Sequence, residues 1–266
     1  RAIATLLRGG TVHVVDGYLP DQIIDILEQE PMRLLVLIPG VVGPFAAALK
    51  KRKAKVKHVG LCGTMADLVP RQDIADVSRY LDAPYVNTFG STETGLPPAT
   101  SITIPVGVAP TSLSKRQSAF CDVRLVDPDD NDVPIGVPGE VIIRGPTLFS
   151  GYWNADEANA TAFRGGWFHM GDVMRRNPDG SLDYVDRVKY MIKSGGENIY
   201  PAEIENVLRA DSRVGQAVVV RKRDDKWGEV PVVFIVRNED TLTIEDIMAR
   251  CRRDLSSYKR PKEVIF

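Results

Sequence analysis

Short apolar segments alternate with segments of helical periodicity in the N-terminal part of the chain, and this alternation constrains the fold more than any other sequence feature. The run from Leu34 to Ile38 is continuously apolar, which is typical of a strand buried on both faces. Pro20 precedes a segment with isoleucines and a leucine on one helical face. The predicted strands span residues 11–15, 34–38, 56–61 and 85–88, and the predicted helices span residues 21–28, 45–51 and 73–81. Such alternation predicts a mostly parallel sheet with helices.

The pattern changes after residue 120. Two strand-like segments flank a turn-rich stretch of Asp, Asn and Pro, which predicts a hairpin within a small barrel-like β region. Helical and strand-like segments then return after residue 189 and predict a small α+β domain. The hairpin strands span 123–126 and 140–143, the later helices span 203–210 and 243–255, and the later strands span 217–221 and 230–236. We therefore expect an α/β fold, with a large domain over residues 1–188 and a small C-terminal domain over residues 189–266.

Composition argues against several classes of protein. The formal net charge is -1, whereas nucleic-acid-binding proteins usually carry a strong basic excess. The three cysteines, Cys62, Cys121 and Cys251, are widely spaced, which argues against a zinc site or a disulfide framework. No apolar run approaches the roughly 18 residues of a membrane helix, so no transmembrane segment is expected. Reduced thiols predict a cytoplasmic protein.

A polar loop follows the last strand of the predicted parallel sheet, within residues 85–95. Ligands of such sheets bind at the carboxyl ends of strands, where this loop is expected. Its glycines let backbone amides approach a ligand, and its hydroxyl groups can bond phosphate oxygens. The carboxylate of Glu93 can hold Mg²⁺, and Phe89 offers a flat face to a nucleotide base. Taken alone, the segment is explained equally well by an ordinary turn with Phe89 in the core.

Two later segments place polar groups beside glycines. In residues 166–172, Asp172 follows a glycine and can accept hydrogen bonds from two ribose hydroxyls, although an aspartate that caps a turn gives the same pattern. In residues 186–205, basic residues alternate with apolar ones before a glycine pair. Pro201 then suits the first position of a helix. A hairpin followed by a well-started helix explains Pro201, but it does not explain the glycine pair beside a lysine.

In this order, the three segments resemble the adenylate-forming superfamily of acyl-CoA synthetases, peptide-synthetase adenylation domains and luciferases. The resemblance covers essentially the whole chain. It implies an enzyme that activates a carboxylic acid with ATP and Mg²⁺, forms an acyl adenylate, and transfers the acyl group to coenzyme A with release of AMP. It also implies that residues 1–188 are the remainder of a large N-terminal domain and that residues 189–266 are an incomplete, mobile small domain.

The resemblance implies specific roles for nucleotide-binding residues. Asp172 and Arg187 correspond to the pair that holds the ribose, Thr92 to the hydroxyl that contacts the α-phosphate, and Glu93 to the carboxylate that binds Mg²⁺. The residues implied to line the adenine are Gly63, Thr64, Asn87, Phe89 and Tyr184. The neighbouring residues implied to complete the nucleotide site are Thr88, Gly90 and Ser91.

The same resemblance implies roles in the second half-reaction. Lys189 corresponds to the hinge about which the small domain turns. Lys193, Gly195 and Gly196 belong to the strand and loop that this motion brings to the acyl adenylate and the pantetheine arm. The residues implied to contact coenzyme A are Trp227, Tyr258, Arg260 and Lys262. Aromatic rings can stack on its adenine and basic groups can pair with its phosphates, although packing and solvation explain such residues as well.

The chain departs from the family pattern in several places. Cys62 precedes Gly63 where the family usually has a second glycine, and Met170 stands where it usually has threonine. The phosphate loop is expected upstream of Arg1 and the adenylation lysine beyond Phe266. Three alternatives stay open: an enzyme that loads a carrier protein, a fragment that binds nucleotide or coenzyme A without catalysis, and a structural module. The small apolar segment 95–100 suits an alkyl or aryl acid, and a homodimer is left open.

Overall fold

The computed structural model describes residues 2–15 and 17–266. The chain divides into two compact units, and each unit is discontinuous in sequence. The first unit comprises residues 1–87 and 102–112, and the second comprises residues 88–101 and 113–266. This division does not coincide with the predicted domain boundary after residue 188, which stays a prediction.

The first unit is a layer of helices on a parallel strand arrangement. Its helices are α1 (Ala2–Leu7), α2 (Pro20–Gln29), α3 (Pro39–Arg52) and α4 (Arg71–Leu81). Parallel bridges join Leu35 to Cys62 and Cys62 to Tyr85, so three segments lie side by side in the predicted direction. The prediction of a mostly parallel sheet with helices is confirmed, but the pairing consists of single bridges. The predicted strand at residues 11–15 is wrong, since these residues form no strand in the described structure.

The helices of the first unit follow from their sequence periodicity. In α2, Pro20 occupies the first turn and Ile23, Ile24 and Leu27 are buried on one face. Helix α4 buries five residues in the same way and ends at Asp82, whose φ of 48° is left-handed. The predicted helices are therefore confirmed, and each is longer than its apolar periodicity indicated.

The second unit begins with antiparallel sheets. One contains β1 (Thr88–Phe89), β2 (Ala99–Thr100) and β3 (Arg116–Gln117). The other has the order β4-β5-β6-β7, formed by β4 (Asp122–Val126), β5 (Pro138–Arg144), β6 (Phe168–Arg176) and β7 (Leu182–Arg187). Helix α5 (Asp156–Ala162) lies between β5 and β6 in the chain. The predicted hairpin is confirmed by the antiparallel pairing of β4 with β5.

The C-terminal part of the second unit is an α+β arrangement, as predicted. A mixed sheet has the order β10-β11-β8-β9, and β12 pairs in parallel with β11. Its strands are β8 (Ile192–Ser194), β9 (Glu197–Ile199), β10 (Val214–Asp224), β11 (Gly228–Arg237) and β12 (Glu263–Ile265). Helices α6 (Pro201–Arg209) and α7 (Ile244–Asp254) contribute Ile204, Leu208 and Ile247 to its buried core. Across the described residues, no helix has both the length and the apolar character that a membrane crossing requires.

Candidate active site

The polar loop after β1 is held in shape by its own hydrogen bonds. The Ser91 amide donates to Thr94 Oγ1 at 3.1 Å, and the Thr94 hydroxyl donates back to the Ser91 carbonyl at 2.9 Å. Gly95 has a φ of 67°, and a Cβ atom there would lie 2.5 Å from the Thr147 carbonyl oxygen. Only glycine fits this closure. The side chain of Thr92 is left exposed at the crest of the loop.

Glu93 is placed by two aromatic residues that the sequence motifs did not include. Its backbone carbonyl accepts a hydrogen bond from the Phe149 amide at 2.9 Å, and its carboxylate accepts one from Tyr152 Oη at 3.1 Å. Hydrogen bonding lowers the pKa of the Glu93 carboxyl. The largest contribution comes from the Ser91 hydroxyl, and smaller ones come from the backbone and Tyr152. Glu93 is therefore an ionised, partly exposed oxygen donor. The three aromatic residues within 149–153 are a sequence signal that could have indicated this support.

The aromatic pair predicted at the adenine differs in exposure. Phe89 is only 2% exposed and belongs to the core of the β4–β7 sheet. Tyr184 packs against it with ring centroids 6.3 Å apart and keeps part of its own surface exposed. The alternative of a core role for Phe89 thus has structural support. Contact of either ring with a base stays a prediction.

Asp172 and Arg187 face each other across β6 and β7, where they are register partners. Arg187 Nε donates to Asp172 Oδ1 at 3.0 Å. Asp172 is 4% exposed, and this burial raises the pKa of its carboxyl, whereas Arg187 acts in the opposite direction. Among the described residues Oδ2 receives no hydrogen bond, so this oxygen can accept from a ligand hydroxyl. Met170 packs against the sheet core and supplies no polar group beside this pair.

Gly63 lies in the first unit, and only glycine fits at this position. Its φ is 97°, and a Cβ atom would lie 2.4 Å from the Tyr85 ring. The preceding Cys62 is fully buried, and desolvation raises the pKa of its thiol to about 12. Cys62 therefore stays a neutral thiol that serves packing, and Tyr85 forms the wall against Gly63.

The polar residues predicted beside Gly63 have partners within the protein. Thr64 Oγ1 donates to the Leu37 carbonyl at 2.9 Å. Asn87 is fully buried, and its Oδ1 accepts a hydrogen bond from the Ala66 amide at 2.8 Å. These contacts fix the backbone of the turn at residues 63–66. The predicted roles of Thr64 and Asn87 at the adenine stay predictions.

The predicted hinge is a single exposed turn of 3₁₀ helix over Val188–Tyr190. The Met191 amide closes the turn by donating to the carbonyls of Arg187 and Val188, at 3.3 Å in each case. Lys189 is exposed, and its Nζ lies 4.8 Å from the centroid of the Tyr190 ring. Such a short turn with weak closure is suited to a change in backbone angles.

Gly195 packs against the Trp227 ring, and this contact explains why glycine is needed at position 195. Gly195 and Gly196 have φ values of 59° and 88°. The Gly195 amide donates to the Trp227 carbonyl at 2.8 Å, and a Cβ atom on Gly195 would lie 2.6 Å from the indole ring. The Lys193 amide donates to Glu229 Oε2 at 2.9 Å, while the Lys193 side chain is exposed. The β8–β9 turn and Trp227 thus form one surface.

Replacing Gly195 by alanine is expected to lower the free energy of unfolding by about 2–4 kcal/mol, because left-handed strain adds to overlap with the indole ring. Gly196→Ala is the matched control, since its φ is also positive but no atom lies within 4 Å of the added Cβ. Denaturant unfolding followed by tryptophan fluorescence measures both. Equal losses in the two variants would contradict a role for the Trp227 contact.

Of the remaining residues predicted to bind coenzyme A, Arg260 is engaged by the protein's own backbone. Arg260 donates from Nε to the Leu255 carbonyl and from Nη2 to the Arg252 carbonyl, both at 3.2 Å. It thereby caps the C-terminal end of α7, a position that suits a cation. Tyr258 is 40% exposed, and Lys262 is exposed. Their contact with coenzyme A stays a prediction.

Sequence comparison assigns the chain to a family. A model of the AMP-binding enzyme family matches residues 2–153, more than half of the chain. The chain belongs to the AMP-binding enzyme family. A model of the AMP-binding enzyme C-terminal domain also matches residues 203–266 of this AMP-binding enzyme.

Three similar proteins illustrate the relationship. Indoleacetate–CoA ligase of Aromatoleum aromaticum is 35% identical over 262 residues, which cover 98% of this AMP-binding enzyme and 51% of the relative. Feruloyl-CoA synthase of an Amycolatopsis species is 38% identical over 270 residues, which cover 99% of this chain and 54% of the relative. An amide bond synthetase from Marinactinospora thermotolerans has a similar structure, with a TM-score of 0.86 and 26% identity over 100% of this chain and 54% of that one. The chain spans about half the length of the curated relatives it matches.

Proposed function

We propose that the full-length protein is an acyl-CoA synthetase that activates a carboxylic acid with ATP and transfers the acyl group to coenzyme A. The observation that carries the proposal is the buried Asp172 carboxylate, which Arg187 orients and whose second oxygen receives no hydrogen bond from the part of the chain that the structure describes. Membership of the AMP-binding enzyme family and similarity to two named ligases of coenzyme A support it.

In the first half-reaction, Asp172 accepts hydrogen bonds from the ribose hydroxyls of ATP, and Arg187 holds the carboxylate in place. A carboxylate oxygen of the substrate attacks the α-phosphorus, the bond to the bridging oxygen breaks, and pyrophosphate leaves. The exposed Thr92 hydroxyl donates to an α-phosphate oxygen in this proposal, where negative charge develops. The products are an acyl adenylate and pyrophosphate.

Glu93 is the residue that would hold Mg²⁺. Its lowered pKa, its partial exposure and its hydrogen bond from Tyr152 fit a hard cation that keeps most of its water ligands. When bound, the ion would neutralise phosphate charge as the α-phosphorus is attacked. Tyr152 contributes by fixing the direction of the Glu93 side chain, and the Phe149 amide contributes by fixing the Glu93 backbone.

In the second half-reaction, the segment after Lys189 turns so that the Gly195–Gly196 turn approaches the acyl adenylate. The thiol of coenzyme A loses its proton to solvent, its sulfur attacks the acyl carbon, the bond to the adenylate oxygen breaks, and AMP leaves. Trp227 is 42% exposed beside this turn and offers a wall for the incoming coenzyme A. Lys193, Tyr258, Arg260 and Lys262 are the proposed polar and aromatic contacts of coenzyme A.

The substrate class we propose is an aryl or alkyl carboxylic acid. The small apolar segment 95–100 supports it, and the names of the two similar ligases favour an aryl acid such as an indole or hydroxycinnamic acid. If the substrate is an alkyl acid, the proposal includes a role in the metabolism of fatty acids. The three cysteines are free and buried, which supports a cytoplasmic location. The homodimer stays a prediction.

AMP binding gives a direct test of the nucleotide site. AMP at about 100 times its dissociation constant is expected to stabilise the chain by about 2.7 kcal/mol, a rise in Tm of about 5–10 °C. Asp172→Ala should abolish this rise, because the ribose loses its acceptor. Differential scanning fluorimetry with AMP and GMP makes the measurement.

The matched control is Asp179→Ala, which removes a carboxylate that caps the β6–β7 turn through Ser181. This variant should lose stability without losing the rise in Tm that AMP produces. An undiminished rise in Asp172→Ala would refute the proposed nucleotide site. Absence of both pyrophosphate and acyl-CoA from the full-length protein, given ATP, coenzyme A and a panel of aryl and alkyl acids, would refute the proposed reaction.

A further inference from the structure

Helix α6 begins without a capping side chain of its own. Its N-cap is Tyr200, which supplies no side-chain hydrogen bond, and its first residue is Pro201, which has no amide hydrogen. The first amide that needs an acceptor is therefore that of Ala202, which is buried. A buried amide without a partner would destabilise the helix start.

The missing acceptor comes from Asp186, which lies on β7 before the turn at Val188–Tyr190. Asp186 Oδ2 accepts from the Ala202 amide at 2.9 Å, and its Oδ1 accepts from the Arg187 amide at 2.7 Å. Asp186 is only 5% exposed. Its negative charge lies at the positive end of the helix, where it stabilises the first turn.

We propose that Asp186 is a positioning residue that latches the C-terminal segment in one orientation and thereby sets the balance between the two half-reactions. This inference rests on the proposed function. Rotation about Lys189 leaves Asp186 with β7 and carries Ala202 away, so the hydrogen bond breaks. The orientation in which the Ala202 amide donates to the Asp186 carboxylate is therefore favoured over an orientation in which this hydrogen bond is broken.

Helix α7 has a cap that does not depend on the orientation of the C-terminal segment. Its N-cap Thr243 accepts from the Asp246 amide, and the Asp246 carboxylate accepts from the Thr243 amide. Both partners lie within the same helix start and move together. The cap of α6 is different, because its acceptor lies 16 residues earlier in the chain, on the other side of the hinge turn. Only a cap whose acceptor lies across the hinge turn, as in α6, can distinguish two orientations.

The orientation can be measured without reference to catalysis. Spin labels on Asp129→Cys and Glu245→Cys, both exposed, report the distance between the β4–β5 turn and α7. The three cysteines within residues 1–266 are buried and are not expected to react. In the full-length protein, Asp186→Ala is expected to change the ratio of the two distance populations about fivefold, the effect of a typical helix cap. Asp186→Asn keeps an acceptor without the charge and should shift the ratio less.

The two half-reactions provide the second readout. Asp186→Ala should change the ratio of pyrophosphate release to thioester formation about fivefold, whereas a merely structural role would lower both together. Asp246→Ala is the matched control, since it removes the carboxylate half of the α7 capping box and should leave the ratio unchanged. Unaltered distance populations in Asp186→Ala, or equal loss of both half-reactions, would overturn the latch. A wild-type protein without either half-reaction would instead refute the proposed function, and the distance measurement would still decide the latch.

Discussion

Glu93→Gln is expected to lower pyrophosphate release by the full-length protein about 100-fold, the scale on which loss of one preorganised electrostatic contact acts. Glutamine retains the shape of the side chain and can still accept from Tyr152, but it has no charge with which to hold Mg²⁺. The lowered pKa of Glu93 means that the wild-type side chain is ionised at neutral pH and remains so in mildly acidic solution. Single-turnover pyrophosphate release, measured across Mg²⁺ concentrations, tests the prediction.

Two comparisons separate this effect from damage to the fold. Glu93→Gln should unfold at nearly the wild-type temperature, because the Phe149 amide bonds the backbone and not the side chain. Glu157→Gln, which changes an exposed carboxylate on α5, should release pyrophosphate at the wild-type rate. An unchanged rate in Glu93→Gln would refute the metal-binding role of this carboxylate.

Lys189→Pro is expected to slow thioester formation by about tenfold or more while slowing adenylation less, because hinge residues must absorb large changes in backbone angles. Proline fixes φ at its own position and restricts Val188 to extended conformations. The Val188–Tyr190 segment would then have fewer accessible backbone geometries than a hinge motion needs. Rapid-quench measurement of each half-reaction, with isolated acyl adenylate as substrate for the second, gives the two rates.

Lys189→Ala provides the comparison, since it removes the ammonium group beside Tyr190 but leaves the backbone free. It should reduce thioester formation less than proline does. Equal slowing of both half-reactions in Lys189→Pro would argue against a hinge at this position. A similar loss in Lys189→Ala would assign the effect to the side chain instead.

The helices were predictable from sequence because their periodicity is local. Of the four apolar residues predicted on one face of α2, Ile23, Ile24 and Leu27 are buried and Ile26 is partly buried, and Pro20 begins the helix as predicted. The strand predicted at residues 11–15 was wrong, because β structure requires a partner strand, and an alternating apolar pattern does not specify one. The short pairings of β1, β2 and β3 carry no periodic signal at all, since each strand has two residues.

The candidate site could be predicted in residue type but not in contacts. The spacing of Asp172 and Arg187 in the chain indicated their pairing only through resemblance, and the β6–β7 register supplies the physical reason. The packing of Trp227 on Gly195 joins positions far apart in sequence, so no local pattern contains it. The same holds for Arg260. It lies in a basic segment that the sequence presents as solvated, yet its guanidinium caps the end of α7. Tertiary contacts decide which chemically suitable groups remain available to a ligand.

The discontinuous make-up of the two compact units has a consequence for dissecting this protein. The chain passes from one unit to the other after residues 87, 101 and 112. No single cut can therefore yield either unit whole, and a truncation after residue 87 removes the segment 102–112 whose Ile104 pairs with Tyr85. Isolating the first unit requires a short linker that joins residue 87 directly to residue 102, which is a designed deletion rather than a shortened gene.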